Sequence, residues 1–146
     1  MELQQFSLEW EVVQNGLYTV IYVRGRLAYD TQLCAEQKLA LAAAAVRHRL
    51  VVVDVGGLQF LDSTGLALLV RFFKQIVSAG RAMAIVVRNN AAIEKILRIS
   101  KLDRLLPIVA DERQLLSLAP LQSPSAIGQE ELYSAWQQGR PPADRP

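Results

Sequence analysis

Several things are nearly missing from this chain, and each shortage removes a class of function. Cys34 is the one cysteine of 146 residues, so no internal disulfide can form, which fits a reducing cytoplasm. Its ordinary place is as a small buried hydrophobe in a helix. His48 is the one histidine; it lies between Arg47 and Arg49 at a helix end, where cations are favourable, and leaves no Ser-His-Asp catalysis to assemble. No apolar run approaches the roughly 18–20 residues that cross a bilayer, and Met1-Glu2-Leu3-Gln4-Gln5 lacks the charged-then-apolar pattern of a signal peptide. A cytoplasmic protein without direct membrane insertion is therefore expected. Neither sign of charge dominates: 16 basic and 14 acidic residues give +2, too balanced a surface to imply nucleic acid. Proline is scarce until the end, five of the six lying at or beyond Pro120. There is no internal repeat.

What the chain does have is apolar residues, 51% of the total, enough at this length for one domain with a real core and a modest tail. The pattern alternates between strand and helix periods. Phe6, Leu8, Trp10 and Val12 alternate with polar residues as in a half-buried strand. Asn15-Gly16 signals a hairpin into a second strand over residues 18–24. Gly25 to Asp30 reads as a loop, with Asp30 or Thr31 capping a helix to about Val46. A strand of β-formers over residues 50–55 then turns through Gly56-Gly57. Residues 82–87 make a further strand, and Arg88-Asn89-Asn90 caps a short helix bearing Ile93, Ile96 and Leu97. After a brief extended piece near Ile108, Asp111 to Gln114 forms a capping box that opens a last helix through Leu118.

The most informative stretch is Phe60-Leu61-Asp62-Ser63-Thr64-Gly65. Leu66, Leu69, Val70, Phe73, Ile76 and Val77 repeat at helical spacing, with Arg71, Lys74, Gln75 and Ser78 opposite and Gly80 where a C′ glycine ends a helix. Asp62 is then the N-cap and Ser63 the first helical residue. Unsatisfied N–H groups and the positive end of the macrodipole make an anion on Ser63 tolerable to its own helix. Gly65, near N3, costs roughly 1 kcal/mol in helix propensity against alanine, so something is expected to come close to a bare backbone there. From spacing alone, helix capping by Ser63 competes with a role as phosphoacceptor.

Other chemistries fit worse. Asp62-Ser63-Thr64-Gly65 has one residue too many for the Asp-Thr/Ser-Gly of aspartic proteases. No acidic pair follows residues 20–23, as a receiver domain phosphorylated on aspartate would require. Gly56-Gly57 lacks the Lys-Ser/Thr of a P-loop. Asp54 reads as a polar strand-end residue held by backbone donors, not a metal ligand, so no metal or cofactor is expected.

The element order gives an α/β fold with the strand at residues 50–55 central and covered by helices. Function in such sheets gathers beyond the strand carboxyl ends, here the Gly25–Asp30 loop, the Asp62–Gly65 turn and the Arg88–Asn90 turn. Gly25, Arg26, Tyr29, Asp62, Thr64, Gly65 and Asn89 are the candidate partner contacts.

Val52-Val53-Asp54-Val55, Phe60 to Leu66 and Ile99 to Ile108 together resemble the STAS domain of bacterial anti-sigma factor antagonists over roughly residues 5 to 118. The resemblance implies a mixed sheet of about four to five strands covered by about four helices. It implies a non-enzymatic switch that binds a serine-kinase anti-sigma factor and frees the sigma factor. It also implies that the kinase phosphorylates Ser63, breaking the complex, and that a metal-dependent serine phosphatase reverses this. Members of the family often carry Gly-Glu-Leu-Asp after the second strand; this chain has Gly25-Arg26-Leu27-Ala28, replacing two acids by a cation and a methyl. STAS domains also serve bacterial ABC transporters of lipids as accessory subunits, and in that role Ser63 would be a fixed interface contact without a kinase.

The expected domain spans residues 1–118, followed by a Pro/Gln-rich tail over 119–146. Truncation after Leu118 is expected to leave a folded domain, because the core-building periodicity ends there. Leu132 and Trp136, spaced i, i+4, leave open a short helix docked on the domain.

Overall fold

The computed structural model describes residues 7–118 and 127–142. Phe6, Pro120, Pro124 and Pro146 lie outside the described residues. The five-stranded sheet has the order β1-β2-β3-β4-β5, with β1 at Leu8–Gln14, β2 at Thr19–Leu27, β3 at Leu50–Leu61, β4 at Ala82–Val86 and β5 at Ile108–Val109. The β1–β2 pair is antiparallel and the other three are parallel. Central parallel strands are covered on both faces, and read as continuous apolar runs. β3 obeys this: every residue from Leu50 to Val55 is buried, Asp54 included.

The hairpin expected at Asn15-Gly16 is present, with four residues between Gln14 and its partner Thr19. Asn15 closes it by accepting from the N–H groups of Leu17 and Tyr18, each at 2.8 Å, a side chain mimicking a turn.

Gly56-Gly57 is not a turn. β3 continues through both glycines to Leu61, slipping register against β2 between Tyr22 and Arg24 and again between Gly25 and Arg26. A Cβ on Gly56 would come 2.8 Å from Cβ of Arg88, and one on Gly57 2.9 Å from Cγ of Arg24. The glycines thus mark a bulged strand crossed by two arginine side chains.

Among the described residues five α-helices accompany the sheet: α1 at Gln32–Ala45, α2 at Ser63–Ser78, α3 at Ala91–Ile99, α4 at Glu112–Leu116 and α5 at Gln129–Gln138. α1 buries Ala35, Leu39 and Ala42 and packs against α2. Cys34 lies one residue off this face and is exposed, so it is not the buried hydrophobe expected. α2 buries Gly65, Leu68, Leu69, Phe72 and Ile76. Leu66, Val70, Phe73 and Val77 are half-buried at the rim, so the stripe lies about one residue away from the expected one. Gly80 ends α2 at φ +81°. Its N–H donates to Val77 O and that of Arg81 to Ile76 O, the paired bonds of a Schellman cap.

α5 is built into the domain. Leu132 and Trp136 are 0% and 3% exposed and belong to the main core. β5 spans two residues and pairs with Ile85 and Val86, leaving the earlier part of β4 without a strand on that side. The Gln129 carboxamide fills the gap, accepting from the Met83 N–H at 2.6 Å and donating to the Met83 carbonyl at 3.1 Å. Arg140 stacks on Trp136 and pairs with Asp103 at 3.1 Å. An unpaired buried backbone group costs about 1–3 kcal/mol, so Gln129 contributes more than its surface bonds would.

Candidate functional site

The site lies where β3 hands over to α2. Asp62 sits in extended backbone as the N-cap, and its Oδ1 accepts from the Gly65 N–H at 2.9 Å. Its Oδ2 accepts from the Tyr29 N–H at 3.1 Å, tying the β2–α1 connection to the helix start. Burial opposes its charge, but N–H groups of Gly65, Tyr29 and Thr64 outweigh this and hold its carboxyl below the ordinary carboxylate range. Asp62 is therefore ionised at neutral pH, and both its oxygens are occupied.

Ser63, the first residue of α2, is exposed, and no hydrogen bond or ion pair among the described residues holds its hydroxyl. Because Asp62 caps the helix, Ser63 is not needed for capping. Thr64 is half-buried. Gly65 is buried, and a Cβ there would stand 2.0 Å from the Leu27 carbonyl oxygen and 2.7 Å from Cδ1 of Leu61. The close neighbour expected at this glycine is the chain's own β2, which pulls the helix start onto the sheet.

The Gly25 to Asp30 segment forms the second wall. Gly25 takes φ +93°, and a Cβ would meet Ser7 O at 2.4 Å, so glycine is required where β1 and β2 part. The Arg26 guanidinium donates to Asp30 Oδ2 at 3.1 Å and lies 4.2 Å above the Phe60 ring. The expected loop is a 3₁₀ turn at Tyr29–Thr31. Thr31 does not cap α1 through its side chain; its hydroxyl donates to Arg26 O and Ala28 O instead. Tyr29 is 76% exposed.

The Arg88–Asn90 turn stands further along the same edge. Arg88 and Asn89 have φ of +44° and +61°, and Asn89 is exposed. Asn90 is the anchor: it accepts from Ile93 N and its amide donates to carbonyls of Val55, Gly56 and Leu58. Buried Asp54 accepts from Gly56 N at 2.9 Å and pairs with Arg88, which also pairs with Glu112. Hydrogen bonds to Glu112 and Asp54 raise the Arg88 pKa further. These groups are structural. The structure joins Tyr29, Asp62 and Gly65 directly, whereas among the described residues no hydrogen bond links Asn89 to them.

Sequence reading missed the apolar part of the edge. Phe60 and Leu33 are 40% and 81% exposed, and a depression of about 650 Å³ runs past Tyr29, Asp30, Leu33 and Cys34. The signal was available: Leu33 is out of phase with Ala35, Leu39 and Ala42, and so cannot face the core.

The STAS domain profile matches residues 9–115. The chain belongs to the STAS domain family. An anti-sigma factor antagonist from Mycobacterium paratuberculosis is similar at 21% identity and a TM-score of 0.65, over 77% of this chain and 93% of that one. A STAS domain anti-sigma factor antagonist from Planctomyces limnophilus is similar at 25% identity and a TM-score of 0.59, over 78% and 98%. The Bacillus cell fate determinant SpoIIAA, in its phosphorylated form, is similar at 17% identity and a TM-score of 0.52, over 74% and 96%. The profile ends before α5. Among the described residues no helix is long and apolar enough to cross a membrane, and no cluster of potential metal ligands is present.

Proposed function

We propose that this protein is a cytoplasmic, non-enzymatic anti-sigma factor antagonist, switched by phosphorylation of Ser63. Unphosphorylated, it binds a serine-kinase anti-sigma factor and so releases the sigma factor; a serine phosphatase restores that state. The observation that carries the reading is the exposed, unbonded Ser63 hydroxyl at the start of α2, next to an Asp62 whose two oxygens are already engaged. A kinase can reach the hydroxyl without disturbing a cap. The docking surface comprises the exposed parts of the Asp62–Thr64 turn together with Arg26, Tyr29 and Asn89. Gly25 and Gly65 shape that surface from within. Similarity to anti-sigma factor antagonists and to a phosphorylated relative supports the assignment.

Ser63, not Thr64, is the acceptor: it is exposed, whereas Thr64 is half-buried and β-branched. Incubation with the cognate kinase and ATP, followed by peptide mass spectrometry, places the phosphate on Ser63 and leaves Ser63→Ala unlabelled. Phosphate chiefly on Thr64 overturns the assignment. Affinity capture from cytosol that returned a permease and an ATPase instead of a kinase would move the protein to the lipid-transport role.

A further inference from the structure

At the other end of the sheet, the segments entering β2, β3 and β4 enclose a groove of about 510 Å³ bordered by Gly16, Arg47, His48, Arg49, Gly80 and Arg81. None of its lining residues is acidic. Among the described residues six arginines pair with carboxylates; Arg47, Arg49 and Arg81 do not, and neither do Arg104 and Arg113, but only the first three border one groove.

Two of these guanidiniums are nevertheless fixed in place. Arg49 donates through Nε to Ile127 O at 2.9 Å, and Arg81 through Nη1 to His48 O. Each keeps further N–H groups for another acceptor. His48 is held too: its Nδ1 lies 3.1 Å from Gln14 Oε1 and 2.9 Å from Thr19 Oγ1. Arg47 is exposed, and although its backbone N–H donates to Thr19 Oγ1 at 3.4 Å, no hydrogen bond or ion pair among the described residues holds its guanidinium. The C-termini of α1 and α2 end here and favour nearby cations. That accounts for a cation after each helix, but not for three that border one concavity with no acidic side chain in its lining. Like charges gathered in one concavity repel unless an anion joins them.

We propose that this groove binds a ligand bearing phosphate groups with more than one negative charge. Guanidinium forks match phosphate oxygens bidentately, and the volume falls in the range of small-ligand sites, about 300–1,000 Å³. The site is separate from Ser63, which stands beyond the opposite end of β3. The same phosphate chemistry could be offered by a soluble polyphosphorylated molecule or by an anionic lipid headgroup.

The test uses the full chain at physiological salt with three probes: tripolyphosphate, phosphatidylcholine vesicles containing phosphatidic acid, and polyglutamate. Tripolyphosphate is expected to bind saturably with Kd below about 1 mM, moving the amide resonances of Gly16 and Gly80 while leaving those of Ser63 and Thr64 in place. Arg47→Glu, which loses no internal bond, is expected to weaken binding about tenfold or more by reversing a charge. Binding to the vesicles but not to tripolyphosphate, with the same loss in Arg47→Glu, identifies a headgroup. Three outcomes overturn the site: no saturable binding of either phosphate probe, resonance changes confined to the start of α2, or equal binding of polyglutamate. The resonance map needs no variant, so the site stays testable if Arg47→Glu fails to fold.

Discussion

The Ser63 turn, which opens α2, and the α5 clamp both lie at the margins of one sheet, and they are finished in opposite ways. At α5 Leu132 and Trp136 are buried, and Gln129 satisfies a strand that lacks a neighbour. At the turn, Asp62 satisfies the helix but Ser63, Tyr29, Leu33 and Phe60 are left exposed. A surface that is internally complete has nothing left to offer a partner. One that is held rigid but left half-apolar and unbonded can exchange solvent for a partner at little internal cost. The clamp stabilises; under the proposed function, the turn recognises.

The sharpest way to break this contrast is at Trp136. Trp136→Ala should cost about 3–5 kcal/mol, the usual loss for a buried tryptophan, because Trp136 is 3% exposed and Arg140 stacks 4.3 Å from its ring. Chemical denaturation measures it. Deleting residues 127–142 should cost at least as much, and since Leu132 and Trp136 are buried the same measurement tests the expectation that truncation after Leu118 leaves a folded domain. A loss below about 1 kcal/mol, typical of a surface change, would show that the clamp is decorative.

Ser63→Asp should do the reverse: little change in stability and a large loss of partner. Helix N-termini favour an anion by about 0.3–1 kcal/mol, while repulsion from ionised Asp62 opposes it by a similar order at an exposed site. A phosphate adds about −1.5 to −2 charge. At an interface the charge must be desolvated, at several kcal/mol if unpaired. About 3 kcal/mol of such cost weakens binding more than a hundredfold. Titration calorimetry against the captured partner, beside thermal melts, reads both halves. Unchanged affinity, or a collapse of the melting temperature, would sink the mechanism.

The contrast also explains what could be read in the chain beforehand. β3, the Asp62 cap, the Gly80 stop and the place of Ser63 follow from local chemistry: apolar runs, a capping carboxylate, a glycine at positive φ. Errors arose where a distant element decides. Gly56 and Gly57 look like a turn until Arg24 and Arg88 are seen to cross them. Asp30 and Thr31 both suit a cap, yet Thr31 turns back to the carbonyls of Arg26 and Ala28. The face of α2 was misplaced because half-buried Leu66 and Phe73 count as apolar in a pattern while buried Gly65 does not. The docking of α5 depends on an uncovered stretch of β4, which exists because β5 is two residues long.

A third, smaller effect separates shaping from contact within the turn. Gly65→Ala gains up to about 1 kcal/mol of helix propensity but forces a methyl into the Leu27 carbonyl, 2.0 Å away, and overpacking costs about 1–3 kcal/mol. The helix start must lift from β2, carrying Asp62 and Ser63 with it. We expect a net loss of stability by urea denaturation and weaker partner binding together. Full stability with weakened binding would instead make Gly65 a direct contact.

The smallest effect tests the capping carboxylate. Asp62→Ala should cost about 1 kcal/mol at neutral pH, the usual value of an N-cap. Because the folded protein holds this carboxyl below its ordinary pKa, its stabilisation is complete above the ordinary carboxylate range. It fades as pH falls through the depressed folded pKa. Wild type and Asp62→Ala should therefore differ most at neutral pH and converge in acid. Asp62→Asn should lie between them. One amide oxygen can still accept from Gly65, but the amide nitrogen cannot accept from Tyr29, which then loses its hold on the helix start. Its difference from Asp62→Ala should be independent of pH, since neither residue titrates. Denaturation curves of the three proteins across the acid range give the answer, and a wild-type advantage that stayed constant down to the lowest pH would mean that packing, not charge, makes Asp62 the cap.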